Sequence, residues 1–254
     1  YPTGGKVEID GFIPWERKNE FKRRISIVMG QKNQLWWDLP ASDSFYLNKC
    51  IFGVDDGTYR DVVTELAELL DVRELLNVQV RRLSLGERMK MELLAALIHQ
   101  PDILFLDEPT IGLDILSQKK IREFLRIYNQ QRKTTVIITS HYMADIEALC
   151  RRAVIINQGQ LVYDGQLGDI NRVLGERKLL SVKTSGEVNE KQWENFGRVR
   201  EISAAGAVLE VPQEKVKAVL GAILSGLPVE DFTVTEIPIE ESIARFYQKE
   251  VATI

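Results

Sequence analysis

The stretch Ile103-Leu104-Phe105-Leu106-Asp107-Glu108-Pro109-Thr110 is the most informative part of the sequence. It begins with a continuous apolar run, Ile103–Leu106, which is typical of a strand buried on both faces of a sheet. The run ends abruptly in two adjacent carboxylates, Asp107 and Glu108. Because the active sites of open α/β sheets lie at the carboxyl ends of strands, we expect functional chemistry at this pair.

A second run of the same kind, Thr135–Thr139, follows downstream. Between the two runs, apolar side chains recur at the i, i+3, i+4, i+7 spacing of one helical face: Ile121, Phe124, Leu125 and Tyr128. The pattern predicts a strand, a helix and a second strand. It assigns this part of the chain to the α/β class, with a mostly parallel sheet.

The region before the first run is helical in character. Residues 58–76 have apolar side chains at helical spacing, and no strand pattern lies on either side: Val62, Leu66, Leu69 and Leu70. The spacing predicts that this stretch is part of a helical insert, which runs from about residue 40 to 100.

The region after the second run changes character twice. First, Ala153–Asn157 and Leu161–Asp164 flank a turn at Gly159 and predict a hairpin. Beyond about residue 176 the chain predicts a small α+β accessory domain, with strands at Leu179–Lys183, Val208–Val211 and Phe232–Glu236 and helices near 213–225 and 240–249. We therefore expect two domains, residues 1–172 and 173–254.

Composition excludes several classes of protein. The 254 residues have a formal net charge of −4 and dispersed lysines and arginines, which disfavours a purely electrostatic nucleic-acid binder. Cys50 and Cys150 lie far apart, so neither a disulfide framework nor a zinc site is indicated, and a reducing compartment fits best. The longest apolar stretches are far shorter than the roughly 20 residues of a membrane-spanning helix.

Three further features accompany the carboxylate pair. Ser84 and Glu87 have the S-x-x-E spacing of a capping box, and a helix N-terminus of this kind also favours anions. Asp114 follows the pair in Ile111-Gly112-Leu113-Asp114. Of the two histidines, His141 directly follows the second strand, where it can donate to a phosphate oxygen or a water, whereas His99 is given a structural role.

These residues together resemble the nucleotide-binding subunits of ATP-binding cassette (ABC) transporters. The segment Leu83–Glu87 is similar to the signature motif of that family, and Ile103–Glu108 to its Walker B strand with the following glutamate. Ile111–Asp114 resembles the D-loop, and His141 the switch histidine. The resemblance covers residues 1 to about 172 and implies a parallel sheet of the P-loop NTPase type, with the remainder similar to the C-terminal extension of exporter ATPases.

The resemblance implies ATP and Mg²⁺ as cofactors and gives each residue a role. Asp107 would hold Mg²⁺, Glu108 would act as general base on the attacking water, and His141 would contact the γ-phosphate. Gln31 would be the Q-loop glutamine, which joins the magnesium shell to the transporter interface. This assignment prefers Gln31 to Gly30, with a one-residue insertion after the strand Ile25–Met29.

The resemblance also implies partners. The signature residues Ser84, Leu85, Gly86 and Glu87, with Asp114 of the D-loop, would act on ATP held by a second ATP-binding subunit, so that ATP closes a homo- or heterodimer. The helical insert would contact a membrane-spanning permease. Trp36, Trp37 and Leu39 are candidates for that contact, and ordinary packing between the two lobes is an equally good interpretation of them.

The sequence departs from the family at its start. It contains no G-x-x-x-x-G-K-[ST] motif, because Gly4-Gly5-Lys6 is followed by Val7. Tyr1–Gly11 resembles the segment that follows the phosphate-binding helix, so we expect that the natural N-terminus and its Walker A loop are missing. The 254 residues alone are expected to bind ATP weakly or not at all, and to be inactive as an ATPase.

Three functions are compatible with these features. The leading hypothesis is the ATP-hydrolysing subunit of a bacterial exporter, peripheral to the membrane on its cytoplasmic face, with an importer as a variant. A soluble ABC ATPase without a transport partner is the second. The third is a degenerate nucleotide-binding regulatory module, against which Glu108 and His141 argue.

Overall fold

The computed structural model describes residues 2–171, 177–186 and 188–251. Internal contacts divide the chain into two compact units, Tyr1–Leu149 and Cys150–Ile254. This division precedes residue 172, the domain boundary expected from the sequence, because the hairpin near Gly159 groups with the second unit. That the hairpin belongs to the nucleotide-binding domain remains a prediction.

The first unit is built on three parallel strands: β1 (Ile25–Met29), β2 (Ile103–Asp107) and β3 (Thr135–Thr139), in the order β1-β2-β3. Both strands that flank the predicted helix are present. The register pairs Met29 with Asp107 and Asp107 with Thr139, so the three carboxyl ends lie side by side. The α/β class and the parallel sheet are confirmed.

The α-helices of this unit, within the described residues, are α1 (Asn19–Arg24), α2 (Ala41–Phe52), α3 (Asp56–Leu69), α4 (Leu85–Leu97), α5 (Ile115–Arg132) and α6 (Met143–Leu149). Residues 40–100, all of them described, contain helices and no strand. In the stretch 58–76, helix α3 ends at Leu69. Asp71 then takes a left-handed φ of +54°, which a continuing α-helix does not tolerate.

The two faces of the three-stranded sheet differ in burial. Val28, Leu104 and Leu106 are fully buried in one core with α4 and α5, where the predicted face Ile121, Phe124, Leu125 and Tyr128 is also buried. On the opposite face, Ile27, Phe105 and Ile137 are aligned across the strands, and Ile27 and Ile137 are 46% and 49% exposed. Parallel sheets are normally covered on both faces, so this row is an apolar surface without a cover among the described residues.

The second unit begins with the predicted hairpin, formed by β4 (Arg152–Asn157) and β5 (Gln160–Gln166). Its connection is Gln158–Gly159, and both residues have positive φ, +47° and +76°. Two consecutive positive φ values are the geometry of the two-residue hairpin turn that matches strand twist. The hairpin prediction is confirmed.

An antiparallel sheet follows, formed by β6 (Arg177–Thr184), β7 (Arg198–Ser203), β8 (Gly206–Pro212) and β9 (Val229–Glu236), in the order β7-β8-β6-β9. The helices of this unit are α7 (Glu190–Glu194), α8 (Val216–Gly226) and α9 (Ile239–Val251). The predicted small α+β domain is thus present. Sequence patterns missed β7, because it is an edge strand in which half of the side chains are charged and most are exposed.

Glu210 of β8 lies at the centre of a buried ionic cluster. Its side chain is 1% exposed and accepts hydrogen bonds from Arg200 Nε at 2.9 Å and Arg245 Nη2 at 2.8 Å. Glu241 Oε1 also accepts hydrogen bonds from the guanidinium groups of Arg200 and Arg245. The cluster joins β7, β8 and α9 through charge-assisted bonds.

This cluster predicts an acid-sensitive second unit. The hydrogen bonds from Arg245, followed by those from Arg200, lower the pKa of Glu210 from 4.5 to about 2. A carboxylate with a depressed pKa stabilises the fold above its unfolded value of about 4.5 and loses that contribution as the pH falls towards about 2. Urea unfolding between these pH values should show a free energy of unfolding that decreases as the pH is lowered. The dependence of this free energy on pH should be weaker in Glu210→Gln. An unchanged slope in the variant would contradict the prediction.

Candidate functional site

The carboxyl ends of β2 and β3 hold the two predicted carboxylates in place. The Thr139 hydroxyl donates to Asp107 Oδ1 at 2.6 Å, and the Glu108 N–H donates to the Thr139 carbonyl at 3.0 Å. Asp107 remains exposed, so its carboxylate can accept further ligands. The strand register therefore fixes where the two acidic groups point.

Glu108 has an unusual backbone and a well-defined side chain. Its φ of +52° is in the left-handed region, which costs a non-glycine residue about 1 kcal/mol. The His141 N–H donates to Glu108 Oε2 at 3.0 Å, and His141 Nε2 lies 3.5 Å from Oε1. The imidazole itself is 84% exposed. Glu108 is thus oriented by the loop after β3, and its side chain, 15% exposed, reaches solvent beside the exposed imidazole.

Gly30 brings the end of β1 against this loop. Its N–H donates to the Asp107 carbonyl at 2.8 Å. A Cβ added at Gly30 would lie 2.0 Å from the Glu108 carbonyl oxygen, closer than real Cβ contacts allow. The predicted Q-loop residue, Gln31, is the next residue in the same turn and is exposed. Gln31 therefore lies at the edge of the site, and its role remains a prediction.

The variant Gly30→Ala should displace Glu108, because the added methyl group meets a backbone atom and not a flexible side chain. We expect the rate of ATP hydrolysis to fall roughly tenfold to a hundredfold, as misplacement of a catalytic group by about 1 Å can do. Steady-state kinetics on the product of the whole gene would measure it. Gly221→Ala is the control, since a Cβ there meets nothing within 4 Å. Equal activity in both variants would contradict the prediction.

A buried acidic residue that sequence patterns missed, Asp145 of α6, organises the surrounding loops. It is fully buried and accepts hydrogen bonds from the hydroxyls of Thr110 and Ser140 and from Arg122 Nη1, the last at 2.7 Å. The Ser140 hydroxyl also accepts the N–H of Tyr142. Asp145 therefore joins the loop after Glu108 to the loop that contains His141. No spacing rule in the sequence indicated it.

The predicted signature segment forms a capping box. The Ser84 N–H and hydroxyl both donate to Glu87 Oε2 at 2.8 Å, and the Glu87 N–H donates to Ser84 Oγ at 3.3 Å. The hydrogen bonds from Ser84 lower the pKa of Glu87. Glu87 is thus occupied in holding the N-terminus of α4, while the first turn of that helix stays open to solvent at Leu85.

Asp114 caps the neighbouring helix, α5, in a similar way. Its two carboxylate oxygens accept the N–H and the hydroxyl of Ser117 at 2.9 and 2.6 Å, and these bonds lower the pKa of Asp114. A Cβ at Gly86 would lie 2.4 Å from Ser117 Oγ, so the first turns of α4 and α5 are in contact. The structure therefore brings Ser84–Glu87 and Asp114 into one cluster.

The site has two parts with different chemistry. Asp107, Glu108 and His141 form the first, and the two helix N-termini form the second, where N–H groups favour anions. No group of three or more His, Cys, Asp or Glu residues within the described ranges could hold a metal by itself. Mg²⁺ does not need one, because it usually binds one or two carboxylates with waters and substrate phosphates. Asp107 fits that requirement.

Family models cover both units. The model described as "ABC transporter" matches residues 1–111, and the model described as "EvrA-like ABC transporter, C-terminal domain" matches residues 176–235. The ABC transporter ATP-binding protein NatA of Bacillus subtilis is 32% identical over 166 residues, which are 65% of this chain and 67% of NatA. The chain belongs to the ABC transporter ATP-binding proteins.

Other comparisons agree that this chain is an ABC transporter ATP-binding protein. The linearmycin resistance ATP-binding protein LnrL of Bacillus subtilis is 28% identical over 249 residues, 98% of this chain and 70% of LnrL. A solved ATP-binding subunit of an ABC transporter has a TM-score of 0.60 at 24% identity, with 68% of this chain and 72% of that chain covered. At this identity the structural likeness shows the fold, which is that of an ABC ATPase.

Two further findings complete the comparison. A dimeric ATP-binding cassette in a post-hydrolysis state, bound to ADP and Pi, has a TM-score of 0.57 at 22% identity and covers 65% of this chain and 75% of its own, which again shows the fold. None of the helices in the described parts of the chain is long and apolar enough to span a bilayer.

Proposed function

We propose that this ABC protein hydrolyses ATP to drive a bacterial exporter. The observation that carries the proposal is the pairing of Glu108 with the loop of His141, which aims a carboxylate into the open space beside Asp107. A general base must be held in this way before it can polarise an attacking water. The arrangement favours an active ATPase over a degenerate regulatory module.

Within this proposal, each predicted residue has a specific task. Asp107 holds Mg²⁺, usually through water, and the ion neutralises charge on the transferred phosphate when it is bound. Glu108 takes the proton of the attacking water, and His141 donates to the γ-phosphate. Gln31, at the edge of the site, connects the magnesium shell to the loop that follows β1.

The second part of the site serves a dimer. The open N-terminus of α4, with Ser84 and Gly86, would bind the γ-phosphate of ATP held by a second ATP-binding subunit. Ile115 and Leu116 begin α5 beside Asp114 and are 82% and 64% exposed. Large exposed apolar side chains around a polar site are expected of a surface that closes on a partner.

The permease is assigned to the exposed aromatic surface of the helical region. Trp36 and Trp37 are 50% and 47% exposed, and Tyr46 and Ile51 on α2 are also exposed. The alternative, packing between two lobes, would have buried the two tryptophans. Their exposure therefore favours docking of a membrane-spanning partner, which would place the protein at the cytoplasmic face of the plasma membrane.

Export is favoured over import by the kind of relative that aligns along nearly the whole chain. LnrL, a resistance protein by name, aligns over 98% of the chain, and the alignment includes the second unit. The cargo itself would be chosen by the permease.

The test is Mg²⁺-dependent ATP hydrolysis by the product of the whole gene, purified with and without its permease. Activity that disappears with EDTA and returns with Mg²⁺ would support the proposal, because Asp107 offers one carboxylate and needs the phosphates to complete the metal shell. A protein that binds no ATP under either condition would indicate a degenerate module, and the proposal would be wrong.

A further inference from the structure

The loop between β1 and α2, residues 30–40, has contacts with the sheet, α4 and α2. In the proposed function, on which this inference rests, the loop carries Gln31 at the nucleotide site and Trp36 and Trp37 at the permease surface. The contacts that hold this loop therefore determine how a movement at the nucleotide site reaches the permease surface. At its start, Gly30 is held against Asp107 and Glu108.

Its middle is held by α4 through one buried carboxylate. Glu92 is 4% exposed, and its Oε1 accepts the N–H groups of Gln34 at 2.9 Å and Leu35 at 3.3 Å. A buried carboxylate is costly unless hydrogen bonds satisfy it, and two backbone donors do so here. Burial nonetheless raises the pKa of Glu92. The Arg88 charge on the same helix opposes this shift, and the two hydrogen bonds named above hold the loop.

Gln34 extends this connection to the sheet. Its backbone N–H binds Glu92, and its side-chain amide donates to the Ile27 carbonyl of β1 at 2.7 Å. One residue therefore contacts the signature helix α4 and the strand that ends at the catalytic site. The bond to α4 alone joins residues that lie 58 positions apart in the chain.

The aromatic pair is held by the same helix and by α2. The Arg88 guanidinium of α4 lies 5.3 Å from the centre of the Trp37 ring, within the range of a cation–π contact. The Trp36 N–H donates to the buried Ser44 Oγ of α2 at 3.1 Å. The proposed permease surface therefore contacts α4 through Arg88, one helical turn from Glu92.

We propose that Glu92 is a positioning residue that couples the N-terminus of α4 to the loop of Trp36 and Trp37. Helix α4 begins at the proposed phosphate-binding residues Ser84 and Gly86, and a packed helix moves as one body. A displacement of Ser84 towards a partner's ATP therefore moves Glu92, and Glu92 moves the backbone of Gln34 and Leu35. The permease surface would sense ATP through this contact.

The experiment uses the product of the whole gene, labelled with 5-fluorotryptophan, in a Glu108→Gln background that retains bound ATP. Fluorine NMR signals of Trp36 and Trp37 are assigned with Trp→Phe variants, and Trp15 and Trp193 serve as internal references. ATP should shift the signals of Trp36 and Trp37. Adding Glu92→Ala should abolish the shift without abolishing ATP binding.

Two further variants separate coupling from folding. Glu92→Gln should keep the response, because its amide oxygen accepts the same two N–H groups. Glu74→Ala, an exposed carboxylate in the same helical region, should also keep it. If Glu92→Ala does not fold, Glu92→Met replaces it. Methionine fills a similar volume but accepts neither N–H group, so the response should fall.

The outcomes distinguish this inference from the proposed function. No ATP binding by the parent would contradict the proposed function, and the coupling with it. ATP binding without a response of Trp36 and Trp37 would contradict the coupling alone. The same conclusion would follow if the response persisted in Glu92→Ala, or in Glu92→Met when that variant takes its place.

Discussion

The Glu108→Gln variant of the whole-gene product is expected to bind ATP but hydrolyse it roughly a hundredfold to ten-thousandfold more slowly than the parent, which is the contribution of a positioned general base. The amide keeps the shape of the side chain and can still accept the His141 N–H that orients Glu108. It cannot take a proton from water. Single-turnover hydrolysis of radiolabelled ATP would measure the loss.

The same variant should accumulate as a dimer when ATP is added, because ATP binding closes the dimer and hydrolysis no longer opens it. Light scattering after size exclusion would show the change in mass. Glu123→Gln, on the exposed side of α5, is the matched control and should hydrolyse ATP at the parent rate. Substantial hydrolysis by Glu108→Gln would assign the general base to another group.

The second large effect is expected for Asp145→Asn, which should destabilise the first unit by about 3 kcal/mol. Asp145 is fully buried and accepts hydrogen bonds from Thr110, Ser140 and Arg122. The substitution removes the charge that compensates Arg122, whose side chain is 18% exposed, and sets an N–H₂ group against other donors. Urea unfolding followed by circular dichroism would measure the difference.

The loss should also reach catalysis, because Asp145 holds Ser140 next to His141 and Thr110 near Glu108. We therefore expect a lower kcat in Asp145→Asn even under conditions where the variant is folded. Asp61→Asn, an exposed position on α3, is the control and should change neither quantity. A loss of stability below about 0.5 kcal/mol is within the range of ordinary surface substitutions. It would show that the hydrogen bonds of Asp145 are not needed for the stability of the first unit.

Local patterns were sufficient for the elements next to the site. The apolar run before Asp107, the run before Ser140 and the helical face from Ile121 to Tyr128 each follow from a short-range rule, and each occurs as predicted. The same holds for the capping box of Ser84 and Glu87. Motif order along the chain then indicated the family, and the comparisons confirmed it.

Local patterns failed where a distant contact decides the outcome. The helical spacing in 58–76 does not show where α3 ends, which is at Leu69, because Asp71 takes a left-handed backbone two residues later. The sequence pattern did not predict the edge strand β7. This strand forms because β8 offers it a pairing partner, and its own residues lack an apolar pattern. Neither signal is present in the sequence near these residues.

The sequence by itself thus determined the strands, the helix between them, and the residues that meet at the carboxyl end of the sheet. The tertiary structure alone decided that Gly30 lies against Glu108, that Asp145 joins the two loops, and that Glu92 holds the loop after β1. The physical reason is the distance along the chain over which each effect acts. Strand and helix periodicity act over a few neighbouring residues, whereas a buried carboxylate takes whichever donors the packed fold brings to it.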